Sequence, residues 1–226
     1  LFVDGQIADA AAARDSESSA VRMLDWLPSA LPYALGDRER VLILGAGGGS
    51  EVRNALAHGA RTVTAVELDP NLVRLARTLA SPPPRSARTE WVVGDARSYV
   101  ARSRERFDLV TLGPAGAFGT TAAGVYSLSE DFLHTVDAYV AYLERLSERG
   151  VLAITRWLTV PPRENVRVIL TAAEALRRVR PAGVPGGLVV VRSWGTATVM
   201  VKPSGFTSRE IESLRSWTVA RRFDLD

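Results

Sequence analysis

The sequence predicts an α/β protein: a doubly wound sheet of five parallel strands with helices between them, closed by a C-terminal antiparallel hairpin and preceded by a small N-terminal β-hairpin. Three observations predict it. From Arg40 onward, five short apolar runs alternate with helical patterns, as parallel strands and their crossovers do. A glycine cluster stands between the first run and its helix, in "VLILGAGGGSEVRNALAHG" (Val41 to Gly59). Near the end, two β-rich runs are separated only by Trp194-Gly195, which is hairpin spacing.

Taken in order, "LFVDGQIADAAAARD" opens as the small hairpin, its turn near Asp4-Gly5, and a helix runs from about Ser18 to Leu27. "RVLILG" (Arg40 to Gly45) is a continuous apolar run, suited to a central strand buried on both faces. "EVRNALAHG" is its helix, closed by Gly59. "RTVTAVEL" (Arg61 to Leu68) is the second strand. Asp69-Pro70 starts the next helix, to about Leu79, because Asp caps free N–H groups and Pro suits a first turn.

"SPPPRSAR" is a loop, "TEWVVG" the third strand and "ARSYVARSR" a short helix. "RFDLVTLG" (Arg106 to Gly113) is the fourth strand, followed by a Gly/Ala/Thr-rich loop from Pro114 to Gly124. "SLSE" (Ser127 to Glu130) is a capping box opening a helix to about Ser147. "GVLAITRW" is the fifth strand and "PPRENVRVILTAAEALRRV" the helix after it. A second capping box, Thr207 to Glu210, opens the last helix, and "RRFDLD" reads as the start of a further strand. Residues 1–36 are expected to form a hairpin-and-helix unit and residues 37–226 the ligand-binding domain. Trp26, Trp91, Trp194 and Trp217 read as core or helix packing.

Composition narrows the function. With 226 residues, 46% of them hydrophobic, the chain can bury a sizeable core. It has no cysteine, which excludes disulfides and thiolate chemistry, and only His58 and His134 as histidines, in no metal-ligand spacing, so no metal is expected. Net charge is +3 and the pI about 9.7, because Lys202 is the sole lysine among 28 basic residues. "RSRERF" (Arg102 to Phe107) is interrupted by Glu105 and lacks interleaved aromatics, so no nucleic-acid partner is expected. No stretch approaches the ~20 apolar residues of a membrane span, and no signal peptide is visible. The chain begins on "LFVDG" without methionine, so a fragment of a longer protein is expected.

A strand, glycine turn and helix bind nucleotides because backbone N–H groups and the helix N-terminus face the ligand. Dinucleotides require Gly-x-Gly-x-x-Gly; here Gly45, Gly47 and Ser50 take those places, so the third is wrong. Glu67 ends the second strand, where a carboxylate can accept from both ribose hydroxyls or simply be a solvated charge. Asp95 in "VVGDA" ends the third, where it can read an adenine edge, cap the next helix, or do both. Glycine turn, Glu67 and Asp95 together suit an adenosyl group lying across three adjacent strand ends. The terminal antiparallel hairpin fits S-adenosylmethionine enzymes better than dehydrogenases.

These residues resemble a family. "LFVDGQ", "VLILGAGGGSEVRNAL", "VTAVELDPNLVRLAR", "VVGDARSYV", "FDLVTL" and "GVYSLSEDF" follow, in order, the pattern of spermidine synthases and their relatives. "YSLSEDFLHTV" and "GVLAITRWLTVPPRE" look more closely like the spermidine synthase-like domains of long bacterial proteins, often fused to membrane segments. The resemblance implies a Rossmann-like domain of the class I S-adenosylmethionine-dependent methyltransferase superfamily. Its co-substrate would be S-adenosylmethionine or the decarboxylated form from which true synthases transfer an aminopropyl group to putrescine. It places Gly45, Ala46, Gly47 and Gly48 at the methionine-derived chain, Glu67 at the ribose and Asp95 with Ala96 at the adenine, with Leu68 and Leu112 also among the residues that bind the co-substrate. It also implies a cytoplasmic setting, free or as part of a membrane protein, a small-molecule acceptor and a homodimer.

The departures concern the acceptor. The family's acidic loop after the fourth strand holds the cationic amine and takes its proton. Here it reads "GPAG": Gly113 and Gly116 stand where two Asp would be, and Leu112 to Val125 carries no ionisable side chain. Ala8 replaces the early Gln of the family's "DGxxQ". The loop composition permits a lid or merely a flexible connection. Tyr126 and Arg156 are the catalytic candidates. Arg156 with Arg163 suits an anionic group or a structural pair with an acid, and Trp157 suits stacking on a ring. Four functions follow: a spermidine synthase-like transferase with the polyamine-binding acids lost, a methyltransferase using the intact donor, a nucleoside-binding module without turnover in a larger membrane protein, or an NAD-dependent dehydrogenase, for which no hydride-site acid or base is identifiable.

Overall fold

The computed structural model describes residues 2–3, 6–7, 23–79, 87–114 and 132–226. The N-terminal hairpin is β1 (Phe2–Val3) against β2 (Gln6–Ile7), antiparallel, with Phe2 opposite Ile7. The main sheet is built from β3 (Arg40–Leu44), β4 (Thr62–Glu67), β5 (Arg88–Val93), β6 (Phe107–Leu112), β7 (Leu146–Trp157), β8 (Leu188–Arg192), β9 (Thr196–Val201) and β10 (Asp224–Leu225). Their order is β10-β8-β9-β7-β6-β3-β4-β5. Strands β3 to β7 run parallel; β7 with β9, β9 with β8 and β8 with β10 are antiparallel. The doubly wound sheet and its terminal hairpin are thus as expected, and "RRFDLD" supplies the edge strand.

Side-chain alternation divides the core between two faces. Leu42, Leu44, Val110, Leu112, Leu152 and Ile154 face α3 (Ala96–Arg102), α4 (Val136–Glu144) and α5 (Arg163–Val179). Val41, Ile43, Leu109, Val151 and Ala153 face α1 (Ser50–Ala57), α6 (Ser208–Arg221) and the 3-10 helix Pro28–Leu35. Burial on both faces is why these strands read as unbroken apolar runs. The remaining helix, α2 (Pro70–Leu79), lies beside α1.

Four expectations change. The helix before β7 ends at Glu144, not Ser147, and Leu146 already pairs with Phe107 across an irregular register. Arg106 donates to the carbonyl of Glu144, which satisfies an acceptor freed at that helix end, and to that of Leu146 at the start of β7. That helix begins at Val136 on a Thr135 cap, and the "SLSE" box lies outside the described residues. At the front, the helix ends at Leu24 rather than Leu27, its expected start at Ser18 lies outside the described residues, and the chain then tightens into the 3-10 helix, where Pro28 and Pro32 lack N–H donors. Trp26 and Trp194 are exposed, Trp194 at 98%, whereas Trp91 and Trp217 pack against the second core.

The last helix is tied down as its capping box predicts. Thr207 Oγ1 accepts from the Glu210 N–H and the Glu210 carboxylate accepts from the Thr207 N–H. The same carboxylate takes the buried Lys202 ammonium at 2.6 and 2.7 Å. Burial pushes the Glu210 carboxyl up, but Lys202 and Thr207 outweigh it and hold it below its usual value.

Candidate functional site

The chain leaves β3 toward β4 and β5, then crosses back to β6 on the other side of β3. Ligands of such sheets bind outside the carboxyl ends of the strands at this reversal. Gly45 follows β3 and Gly113 follows β6, so these two glycines flank the crevice.

The glycine turn is left-handed at three positions: Gly45 (φ 72°), Gly47 (φ 52°) and Gly49 (φ 86°). The Gly45 and Ala46 amides both donate to Val66 O, which ties the turn to β4. The Gly47 N–H donates to Glu67 Oε2 at 2.8 Å, and the Asp69 N–H donates to Oε1 at 3.0 Å. Both oxygens of Glu67 are therefore held by backbone, and each keeps a lone pair for a further hydrogen bond. Gly49 serves packing instead, since a Cβ there would lie 3.2 Å from the Trp91 ring. It makes the close helix–strand approach that the dinucleotide pattern assigns one residue later, at Ser50.

Asp95 caps α3, its Oδ1 accepting from the Ser98 N–H at 2.7 Å, and these Ser98 bonds hold its carboxyl below the usual value. The carboxylate stays exposed, so it caps and still faces solvent at the strand end. Ala46, Ala96 and Leu112 are buried, so they offer a ligand their backbone rather than their side chains. Leu68 and Val93 stand 70% and 53% exposed at the ends of β4 and β5. Val93 was missed in the sequence; its signal was an apolar residue just before "GDA". A shallow hollow of about 370 Å³ lies between α2 and Val93, lined by Pro70, Val73, Arg74, Arg77 and Thr78. It contains no carboxylate and none of the turn glycines, so the chemistry lies elsewhere.

On the other side of the crevice, Arg156 shares the face of Leu152 and Ile154, while Trp157 shares that of Val151 and Ala153. Arg156 lies 4.0 Å from Glu164, which also takes Arg167 at 2.6 Å. Arg167, not Arg163, is thus the second arginine of this group; Arg163 is exposed at the start of α5. His134, buried here, bonds the Tyr139 hydroxyl at 2.6 Å. Burial, then Arg156 and Arg167, push its pKa down to about 3, so it is neutral. Tyr126 and Gly116 lie outside the described residues.

A Cβ on Gly113 would meet Glu51 Cγ at 3.3 Å. Glu51, in the first turn of α1, is 6% exposed. Little in the sequence singles it out, because an acid in a first helical turn is ordinarily a partner of the helix dipole. Among the described residues no group of His, Asp and Glu is suited to a metal ion, and no helix is long and apolar enough to cross a membrane.

Residues 41–126 match the family model described as a methyltransferase domain. The polyamine aminopropyltransferase 2 of Hyperthermus butylicus is 29% identical over 188 residues, which cover 77% of this chain and 57% of that relative. The chain spans between 20% and 46% of the length of four further aminopropyltransferases that it matches. A probable spermidine synthase from Corynebacterium glutamicum superposes with a TM-score of 0.61 at 18% identity, covering 87% of this chain and 70% of that one. A spermidine synthase in complex with the transition-state analogue AdoDATO does so at 0.55 and 19%, covering 88% and 63%. The fold is thus that of the class I S-adenosylmethionine-dependent methyltransferases. Within that class the chain is similar to polyamine aminopropyltransferases in sequence and to spermidine synthases in fold.

Proposed function

We propose that this domain binds an adenosyl-sulfonium co-substrate, S-adenosylmethionine or its decarboxylated form, and transfers an alkyl group from it to a small acceptor. The observation that carries the reading is the Gly47–Glu67 hydrogen bond, which sets a carboxylate beside an open glycine turn at the sheet's reversal point. The residues fit the ligand. The turn brings bare backbone to the crevice, Glu67 keeps acceptor capacity for ribose hydroxyls, and exposed Leu68 and Val93 give an adenine apolar surface beside Asp95. When bound, the sulfonium supplies an electrophilic carbon and a neutral thioether leaving group. The chain's part is alignment: Gly45 to Gly48 toward the methionine-derived chain, Glu67 on the ribose, Asp95 and the Ala96 N–H on the adenine. The names of the curated relatives and of the AdoDATO complex support this donor class.

A second reading, methyl transfer from the intact donor, is favoured by the absence of ionisable side chains from Leu112 to Val125. The donor's own carboxylate meets no acid in that stretch. Calorimetric titration with S-adenosylmethionine, its decarboxylated form, methylthioadenosine and NAD tests the ligand class. Adenosyl-sulfur compounds are expected to bind in the micromolar range; tighter binding of NAD would refute the proposal.

A further inference from the structure

We infer that Trp91 is a positioning residue of the co-substrate site: its indole holds the glycine turn in the shape that aims the Gly47 amide at Glu67. The inference rests on the donor reading above and adds to it a residue that acts through the turn rather than on the ligand. Trp91 lies on β5, the edge strand of the sheet, opposite Ala65 on β4. Two residues further on, Val93 lies opposite Glu67. Side chains two apart on a strand share a face, so the indole and the ribose acid stand on the same side of the sheet.

The contact itself is with Gly49. Cη2 and Cζ2 of the indole lie 3.2 and 3.4 Å from where a Cβ on Gly49 would stand, and the Ala76 Cβ of α2 lies 3.7 Å from the same point. Gly49 closes the turn. Its N–H donates to Ala46 O at 2.9 Å, and its carbonyl accepts from the Arg53 N–H at 3.1 Å as α1 begins. Gly47, whose N–H holds Glu67, stands between Ala46 and Gly49. The indole thus bears on the residue that closes the turn, and the turn carries the amide that orders the acid.

The reach depends on small neighbours. A side chain on β5 must cross β4 to meet the turn that follows β3, and neighbouring strands lie about 4.8 Å apart. At that level β4 offers Ala65, α2 offers Ala76, and Gly49 offers no Cβ at all. The indole is large and rigid enough to span the gap, which an aliphatic side chain is too short to do. A residue that only fills the core needs volume; this one needs length in one direction. Its value to binding is preorganisation: a turn held in its competent shape binds at full strength, and one competent a tenth of the time binds about tenfold more weakly.

The test is calorimetric titration of wild type, Trp91→Leu and Trp91→Phe with S-adenosylmethionine and with methylthioadenosine, well below each protein's melting temperature. Trp91→Leu is expected to weaken both compounds by about tenfold, and Trp91→Phe, whose ring stops short of Gly49, by about threefold. Amide hydrogen exchange without ligand reads the turn directly. The Gly47 amide should exchange about tenfold faster in Trp91→Leu, while the amides of β6 keep their rates. A merely structural tryptophan would lower the melting temperature yet leave both affinity and the Gly47 rate unchanged. That result overturns the inference and leaves the donor reading standing. If Trp91→Leu does not fold, Trp91→Phe decides alone, and wild-type affinity with a wild-type Gly47 rate overturns the inference. If wild type binds neither compound, the donor reading fails first and this inference falls with it.

Discussion

The Gly47 amide donates to Glu67 Oε2 at 2.8 Å, while the Asp69 amide holds Oε1 at 3.0 Å. Turn and acid are therefore one device rather than two motifs that happen to be neighbours. A glutamate free to rotate would have to be ordered at each binding event; this one is ordered by the fold. The same bonds explain why the turn keeps its left-handed glycines without a ligand's help.

Two neighbouring glycines should respond differently to valine. Gly47→Val puts a β-branched side chain at φ 52° beside the ligand-facing carboxylate, so S-adenosylmethionine binding should fall below detection. Its circular dichroism spectrum should remain that of a folded protein. Gly49→Val instead drives a side chain into the Trp91 ring from 3.2 Å, at φ 86°, and should cost about 1–3 kcal/mol in a urea melt. Loss of folding in the first variant would mean that Gly47 serves the turn alone.

Spermidine synthesis should be poor or absent. Putrescine carries two charges near pH 7, and bringing each into a closed site costs several kcal/mol unless a carboxylate compensates. The stretch from Leu112 to Val125 offers none. With decarboxylated S-adenosylmethionine and putrescine, turnover of ~1 s⁻¹ or more, the ordinary enzyme range, would contradict this. Gly113→Asp with Gly116→Asp should improve amine binding by returning carboxylates to that stretch.

The Lys202–Glu210 pair should govern acid stability at the C-terminal end. Lys202→Ala leaves Glu210 without its cation and should cost about 3 kcal/mol at pH 7. Because the folded Glu210 carboxyl lies below its ordinary value of 4.5, its contribution is complete above that pH. It is lost as the pH falls through the folded value. The penalty of Lys202→Ala should therefore shrink at acid pH, and an equal penalty at pH 7 and pH 3 would sink the assignment.

His134 should add a second acid-sensitive contribution over a different window. Its folded pKa of about 3 lies below the ordinary 6.5, so the unfolded chain binds the extra proton first. Stability is complete above about pH 6.5 and declines toward pH 3, by about 1.4 kcal/mol per unit at most. Denaturant melts of His134→Gln should lose that slope between pH 6 and pH 4.

Most of the frame was legible because its causes are local. "VLILG" is apolar throughout because β3 is covered on both faces, and Thr207 with Glu210 wrote the last helix start into four residues. The strand at Leu146 was not legible, because "LERLSERG" reads as helix until Phe107, remote in sequence, pairs with it. At the site, the glycines, Glu67 and Asp95 announced themselves by type and place. The approach of Glu51 to Gly113 did not, since that glycine has no side chain to notice. His134 likewise needed the two arginines that the fold brings to it.

Everything proposed for the site depends on Glu67, set by the glycine turn, receiving the ribose of an adenosyl-sulfonium compound. Isothermal titration of wild type and Glu67→Gln with S-adenosylmethionine measures that contact. Two charge-assisted hydrogen bonds to ribose should contribute about 1.5–3 kcal/mol. Wild type should bind in the micromolar range, and the variant should lose about tenfold or more. Equal affinity in the two proteins would contradict the ribose contact.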